Sequence, residues 1–198
     1  MKRNFYWKAL FSQSGSEIYE ISTRIGRFPD TIITNKSFED LDKINPKLLE
    51  AAFDRFIFVP KKPTIVEYRE AIKSADMVTL HGFLRVLPSE ICGRYNIYNG
   101  HPGLITLFPE LKGKDPQKKV WELHAKTPYS VHGHVIHKVI PEVDAGLVVS
   151  EKRFYSPNIH AEYGDLFGYI GRLHSLAIEN WVEFIKKRTI VNTTTYAN

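Results

Sequence analysis

The chain has 198 residues, 43% of them hydrophobic and 25% charged, with 27 Lys and Arg against 22 Asp and Glu for a net charge of +5. This length suits one domain with a sizeable core, and no apolar run approaches the roughly 18 residues of a membrane helix. One cysteine, Cys92, excludes an internal disulfide framework and a multi-cysteine zinc site, and the N-terminal run is too interrupted by Lys8 for a secretory leader, so the cytoplasm is the default compartment.

In chain order, Phe5 to Phe11 is a short apolar strand ending at SQSGS, and Glu17 to Arg24 is compatible with a helix. TIIT (Thr31 to Thr34) and FIFV (Phe56 to Val59) have the β-branched and aromatic content of buried strands. Between them Asp40 to Phe53 reads as helical, with Pro46 in a first turn. Thr64 to Ser74 is a further helix, Thr64 and Glu67 having capping-box spacing. Met77 to Leu80 is the next strand. Alternation of this kind predicts a mostly parallel sheet with flanking helices. Ser130 to Ile140 and Leu147 to Phe154 are longer β segments around PEVDAG and predict an antiparallel pair. Ala161 to Lys187 carries apolar residues at helical spacing, weakened by Gly164, Gly168 and Gly171. The last residues, 189–198, read as a short tail after a single domain spanning 1–188. In an open parallel sheet ligands sit beyond the carboxyl ends of the strands, which points to the loops after Phe11, Leu80 and Tyr98.

Three segments carry candidate chemistry. In Tyr98 to Leu104, Asn99 and His101 share one side of a strand end. An amide there can stabilise an oxyanion, and an imidazole can shuttle a proton, as acyl transfer requires. A strand end with a turn-forming Asn explains the same residues structurally. In HGHVIHK, His132 and His134 share a face, and His137 lies opposite among valines. A zinc reading has no third ligand in sequence, so a partly exposed pair and one core histidine is preferred. Asp144 stands in a tight turn, either as an Asx turn or as a carboxylate orienting His101. In the loop Ser12 to Glu17, a helix start can hold a phosphate, while Ser14 and Glu17 also fit a capping box.

Taken together LFSQSGSEI, DMVTLHGFLRVLP, NGHPGL and HGHVIHKVIPEVDAG, in this order and spacing, resemble the folate-dependent formyltransferase family, nearest its glycinamide ribonucleotide branch. The resemblance runs from about Lys8 to about Ile185 and implies a Rossmann-like fold and an enzyme of purine-type one-carbon metabolism. It implies direct transfer of a formyl group from 10-formyltetrahydrofolate to a primary amine of a small nucleotide- or sugar-like acceptor. Asn99, His101 and Asp144 take the family's catalytic positions. Asn99 and His101 would stabilise an oxyanion, and the His–Asp pair would move protons. The pterin would lie against Phe83, Leu84, Arg85, Val86 and Leu87 and the loop Ile140, Pro141, Glu142, Val143. Ser14, Gly15, Ser16 and Glu17 would form the acceptor loop, and no metal is implied.

The sequence departs from that pattern in four places. HPSLLP reads HPGLIT, and the phosphate loop Gly-Asn-Gly-Ser-Asn reads Gln13-Ser14-Gly15-Ser16-Glu17, ending in an acid. RLHSLAIEN offers no counterpart to an acceptor-contacting glutamate, and His134 replaces a small residue. Arg24 or Arg27 is a candidate to supply the missing anion contact. The length leaves no room for the added domains of the methionyl-tRNA enzyme or the formyltetrahydrofolate hydrolase; a trimmed sugar-nucleotide N-formyltransferase remains an alternative. A non-catalytic folate- or nucleic-acid-binding descendant is the other, motivated by Lys112, Lys114, Lys118 and Lys119 and by Lys186-Lys187-Arg188. The first run better suits an anionic folate tail. Monomer and homodimer are both open, apolar residues of the final helix being available to pair subunits.

Overall fold

The computed structural model describes residues 5–124, 126 and 129–194. Five short strands, β1 (Trp7–Phe11), β2 (Thr31–Thr34), β3 (Phe56–Phe58), β4 (Met77–Leu80) and β5 (Ile97–His101), run parallel. They are followed by β6 (Val131–Lys138) and β7 (Val148–Tyr155), each antiparallel to its predecessor in the sheet. The seven strands lie in the order β3-β2-β1-β4-β5-β6-β7, so the expected parallel sheet with a late antiparallel pair is what forms. The order reverses between β1 and β4, and that is where a crevice opens in such sheets.

The strands alternate their burial between two faces. Ala9, Phe11 and Ile32 pack with Ile18 of α1 (Ser16–Ile25) and Leu48 of α2 (Pro46–Ala52). On the same face, Trp7 and Met77 meet Ile178 and Trp181 of the C-terminal helix α7 (Leu166–Thr194). Leu10, Ile33, Val78 and Leu80 point the other way, against α3 (Ile65–Ile72) and α4 (Ser89–Arg94). A further core joins α5 (Pro116–Leu123), β6, α6 (Ile159–Tyr163) and α7 through Val120, Val135, Ile159 and Leu173.

The capping box at Thr64 forms as expected: Glu67 N–H donates to Thr64 Oγ1 at 3.3 Å and Thr64 N–H to Glu67 Oε2 at 2.7 Å, a cap of about 1 kcal/mol. Other expectations are corrected. FIFV is an edge strand, not a buried one, and leaves Ile57 39% exposed. The Asp40 to Phe53 helix divides into a 3-10 segment, Phe38–Lys43, and α2, because Asn45 caps a new start with Pro46 at its first position. The single final helix is two: Gly164, at φ +73°, closes α6 and α7 begins two residues on. Helix α7 also runs past Arg188 to Thr194, into the segment read as a tail, whose residues 195–198 lie outside those described. Its apolar residues are mostly consumed by the molecule's own core, Phe167 at 82% exposure being the exception among those described. No helix among the described residues is long and apolar enough to cross a membrane.

Candidate active site

Beyond the carboxyl ends of β1, β4 and β5 lies a cavity of about 700 Å³ lined by Gln13, Glu17, the segment 82–87, the segment 99–102, Gly113 to Gln117, His137 and residues 139–141, 143 and 144. These are the loops that the sheet topology predicts.

Asn99 and His101 stand on one side of β5, two residues apart. Gly100 between them faces the other side, where an added Cβ would lie 2.7 Å from His134 Nε2 and 2.8 Å from Trp181 Nε1. Its lack of a side chain is what lets β5 lie close over α7. Asp144 occupies the β6–β7 turn at φ +51°, a left-handed conformation Asp tolerates better than most residues. In the same turn a Cβ on Gly146 would overlap the Lys138 carbonyl, so the turn closes tightly only on glycine.

The turn brings Asp144 to the strand. Its Oδ2 is 3.2 Å from His101 Nδ1 and takes the Gly113 N–H at 2.9 Å, and its Oδ1 is 3.3 Å from His137 Nε2. His101 Nε2 donates to the Leu111 carbonyl at 2.8 Å. Both His101 nitrogens therefore face acceptors, and both bonds form together only when the ring carries two protons. Burial alone would raise the Asp144 pKa. The hydrogen bonds from His101 and His137, attraction to His101 and the Gly113 N–H outweigh it and hold the carboxyl well below the usual carboxylate range.

Asn99, His101 and Asp144 are thus brought together at one end of β5, and His137 joins them. It sits directly across from Asn99 in the β5–β6 register, with Asn99 Nδ2 3.3 Å from its Nε2. His137 is buried, as a core histidine would be, and it also lines the cavity. The alternation on β6 had already put it on the face opposite His132 and His134; what pairs with that face was not readable.

His132 and His134 are both buried, not partly exposed. Tyr169 Oη–H donates to His132 Nδ1 at 2.9 Å and His132 Nε2–H to the Ser156 carbonyl at 3.1 Å. Asn180 Nδ2 donates to His134 Nδ1 at 3.1 Å, and burial is the main cause that pushes the His134 imidazole down to about 4. These are structural bonds within the β6–α7 interface. Among the described residues, no group of three or more His, Cys, Asp or Glu is arranged to hold a metal.

The segment 83–87 divides by side chain. Phe83 and Leu87 are in the core, while Leu84 and Val86, 71% and 74% exposed, project at the cavity. The segment is tied to β1 by Ser12 Oγ, which accepts the Leu84 N–H at 2.8 Å and donates to the Gly82 carbonyl at 3.0 Å. Arg85, Ile140, Pro141 and Val143 line the cavity as well; Glu142 does not.

The first loop differs most from expectation. Of Ser14, Gly15, Ser16 and Glu17, Glu17 alone lines the cavity. The capping box does not form, since Gly15, at φ +74°, is the N-cap of α1. Glu17 turns instead to His81, whose Nδ1–H donates to its Oε1 at 2.8 Å. Arg27 is engaged by the Phe5 carbonyl and Asp30, and Arg24 lies in the last turn of α1, so neither supplies an anion contact at the loop. Of the basic run, Lys114 lines the cavity, Lys118 pairs with Glu122 at 3.6 Å, and Lys119 donates to the Lys112 carbonyl at 3.1 Å.

No family model and no curated protein matches this sequence. Solved structures do match. Phosphoribosylglycinamide formyltransferase from Anaplasma phagocytophilum superposes with a TM-score of 0.76 at 19% identity, over 96% of this chain and 89% of that one. The enzyme of the same name from Campylobacter jejuni gives 0.75 at 20%, over 95% and 99%. A formyltetrahydrofolate deformylase from Pseudomonas syringae gives 0.75 at 15%, over 96% of this chain and 62% of that one. The chain has the Rossmann-like fold of these proteins.

Proposed function

We propose that this protein is a folate-dependent formyltransferase, moving a formyl group from 10-formyltetrahydrofolate to a primary amine of a small nucleotide- or sugar-like acceptor in the cytoplasm. The observation that carries the reading is the Asn99–His137–Asp144–His101 network at the floor of a cavity with one apolar wall. The fold shared with formyl-transferring and formyl-hydrolysing proteins supports it.

A cavity of about 700 Å³ with one apolar wall supports a ligand of folate's class. Leu84, Val86 and Val143 offer apolar surface for a flat heterocycle. Lys114, exposed at the rim, suits an anionic tail. When bound, 10-formyltetrahydrofolate supplies an activated formyl carbon on nitrogen. The chain's residues then do three things. Asn99 presents amide protons beside the floor, where negative charge develops on a carbonyl oxygen as an amine adds to the carbon. His101, when its ring carries both protons, gives one to the departing nitrogen and takes back the one that the amine loses. Asp144 stays ionised and fixes both imidazoles.

The test is product analysis with 10-formyltetrahydrofolate and a panel of primary amines that includes glycinamide ribonucleotide and amino sugars. A formylated amine and tetrahydrofolate are expected. Formate released without any formylated amine would replace the transferase reading with hydrolysis.

A further inference from the structure

The cavity's β1 side is contributed by Gln13 and Glu17, so a carboxylate stands where an acceptor would meet the first loop. That carboxylate is fixed from behind. Trp7 Nε1–H donates to Thr79 Oγ1, Thr79 Oγ1–H to His81 Nε2, and His81 Nδ1–H to Glu17 Oε1, each at 2.8 Å. The chain of donors runs one way and locks His81 in a single tautomer. The His81 side chain has 0% exposure, and Trp7 and Thr79 are also fully buried. Among the described residues, Glu17 Oε2 has no hydrogen-bond partner.

The side-chain groups that could hold a phosphate at this loop are bonded to one another. Ser14 Oγ and Ser16 Oγ are 2.9 Å apart, and Ser14 Oγ accepts the Ser16 N–H at 3.3 Å. Asn45 Nδ2 donates to Ser16 Oγ at 3.0 Å, and Asn45 N–H to the Ser14 carbonyl at 2.8 Å. Glu17 adds a negative charge at the cavity edge of this loop, against which a dianion would have to bind.

We propose that Glu17 reads the acceptor, accepting hydrogen bonds from hydroxyl or neutral amine N–H groups of an amino sugar or similar polyol amine that carries no phosphate at this end. His81 is the positioning residue that aims it. The amine's role as formyl acceptor rests on the formyl-transfer reading; the charge preference of this subsite does not.

The test uses two probes that differ only in a phosphate, glycinamide ribonucleotide and its dephosphorylated ribonucleoside, titrated calorimetrically onto the full chain with and without a folate analogue. The ribonucleoside should bind at least about tenfold tighter than the ribonucleotide, a difference of about 1.4 kcal/mol. Glu17→Gln keeps an oxygen for His81 and removes the charge, and it should erase that preference. His81→Ala should weaken the ribonucleoside without improving the ribonucleotide. Equal or tighter ribonucleotide binding, an unchanged ratio in Glu17→Gln, or binding of neither probe overturns the proposal. Failure to bind the folate analogue sinks the formyl-transfer reading instead, and the ratio of the two probes is then read on the free protein.

Discussion

Asn99 and His137 are direct cross-strand partners on β5 and β6, with Asn99 Nδ2 3.3 Å from His137 Nε2. His137 Nε2 also stands 3.3 Å from Asp144 Oδ1, and while it gives its proton to that carboxylate it cannot accept from the amide, so Asn99 is placed by the strand register rather than by a bond to the ring. Asn99→Ala removes the donor and leaves Asp144 with His101 and His137. Formyl transfer should fall by roughly 10²- to 10³-fold in kcat, the usual loss for one oxyanion donor. Steady-state kinetics with unchanged circular dichroism checks it; activity within a few-fold of wild type would remove Asn99 from the mechanism.

Asp144→Asn separates charge from shape, since Asn tolerates the left-handed backbone at φ +51° equally well. The amide cannot accept from both imidazoles and Gly113, so transfer should fall by about a hundredfold or more. Stability should fall too, and the sign of its pH dependence follows from the depressed folded pKa. The carboxylate's contribution is present above its ordinary value of 3.8 and is lost as pH falls below it. The gap between wild type and variant in urea denaturation should accordingly narrow on acidification. A gap that widens below that pH would contradict the geometry.

The strands and the parallel sheet were legible because TIIT, FIFV and MVTL are short, apolar and separated by helical spacing. The antiparallel pair was legible because two long β segments flank a turn sequence. What escaped was long-range pairing. His137 was placed on the correct face of β6, but nothing local says that this face meets Asn99, and a one-residue slip would have sent it elsewhere. Ser14 and Glu17 have ideal local spacing for a cap, yet Glu17 is 64 residues from the histidine it pairs with. A buried imidazole needing an acceptor outweighed a helix start that Gly15 could close alone. Gly164 likewise ended a helix that periodicity alone would have continued.

His134 should make the protein acid-sensitive in a defined window. Its pKa falls from an ordinary 6.5 to about 4, chiefly through burial, so the unfolded chain takes up a proton that the folded state refuses. Stability contributed this way is full above pH 6.5, declines as pH drops, and levels off near 4, a total of about 3 kcal/mol. His134→Gln retains an acceptor for Asn180 and does not titrate. Urea denaturation at pH 7, 6 and 5 should show a shallower decline in the variant, by up to about 1.4 kcal/mol per pH unit. Parallel pH profiles would mean that His134 is not held neutral.

Gly100 should prove intolerant of even a methyl group. Its Cα lies over two rings from β6 and α7 that are themselves packed, with the Trp181 Nε1 atom buried and without a partner among the described residues. In Gly100→Ala the new Cβ would stand 2.7 Å from His134 Nε2 and 2.8 Å from Trp181 Nε1, so these packed rings, or the strand or helix behind them, must shift. The expected cost is about 1–3 kcal/mol, the range for overpacking. Because Asn99 and His101 flank the site of the shift, kcat should fall as well, by more than the loss of folded protein accounts for. Thermal denaturation and kcat measured on the folded fraction decide it. A variant of wild-type stability would show that β5 does not rest on α7 at this point.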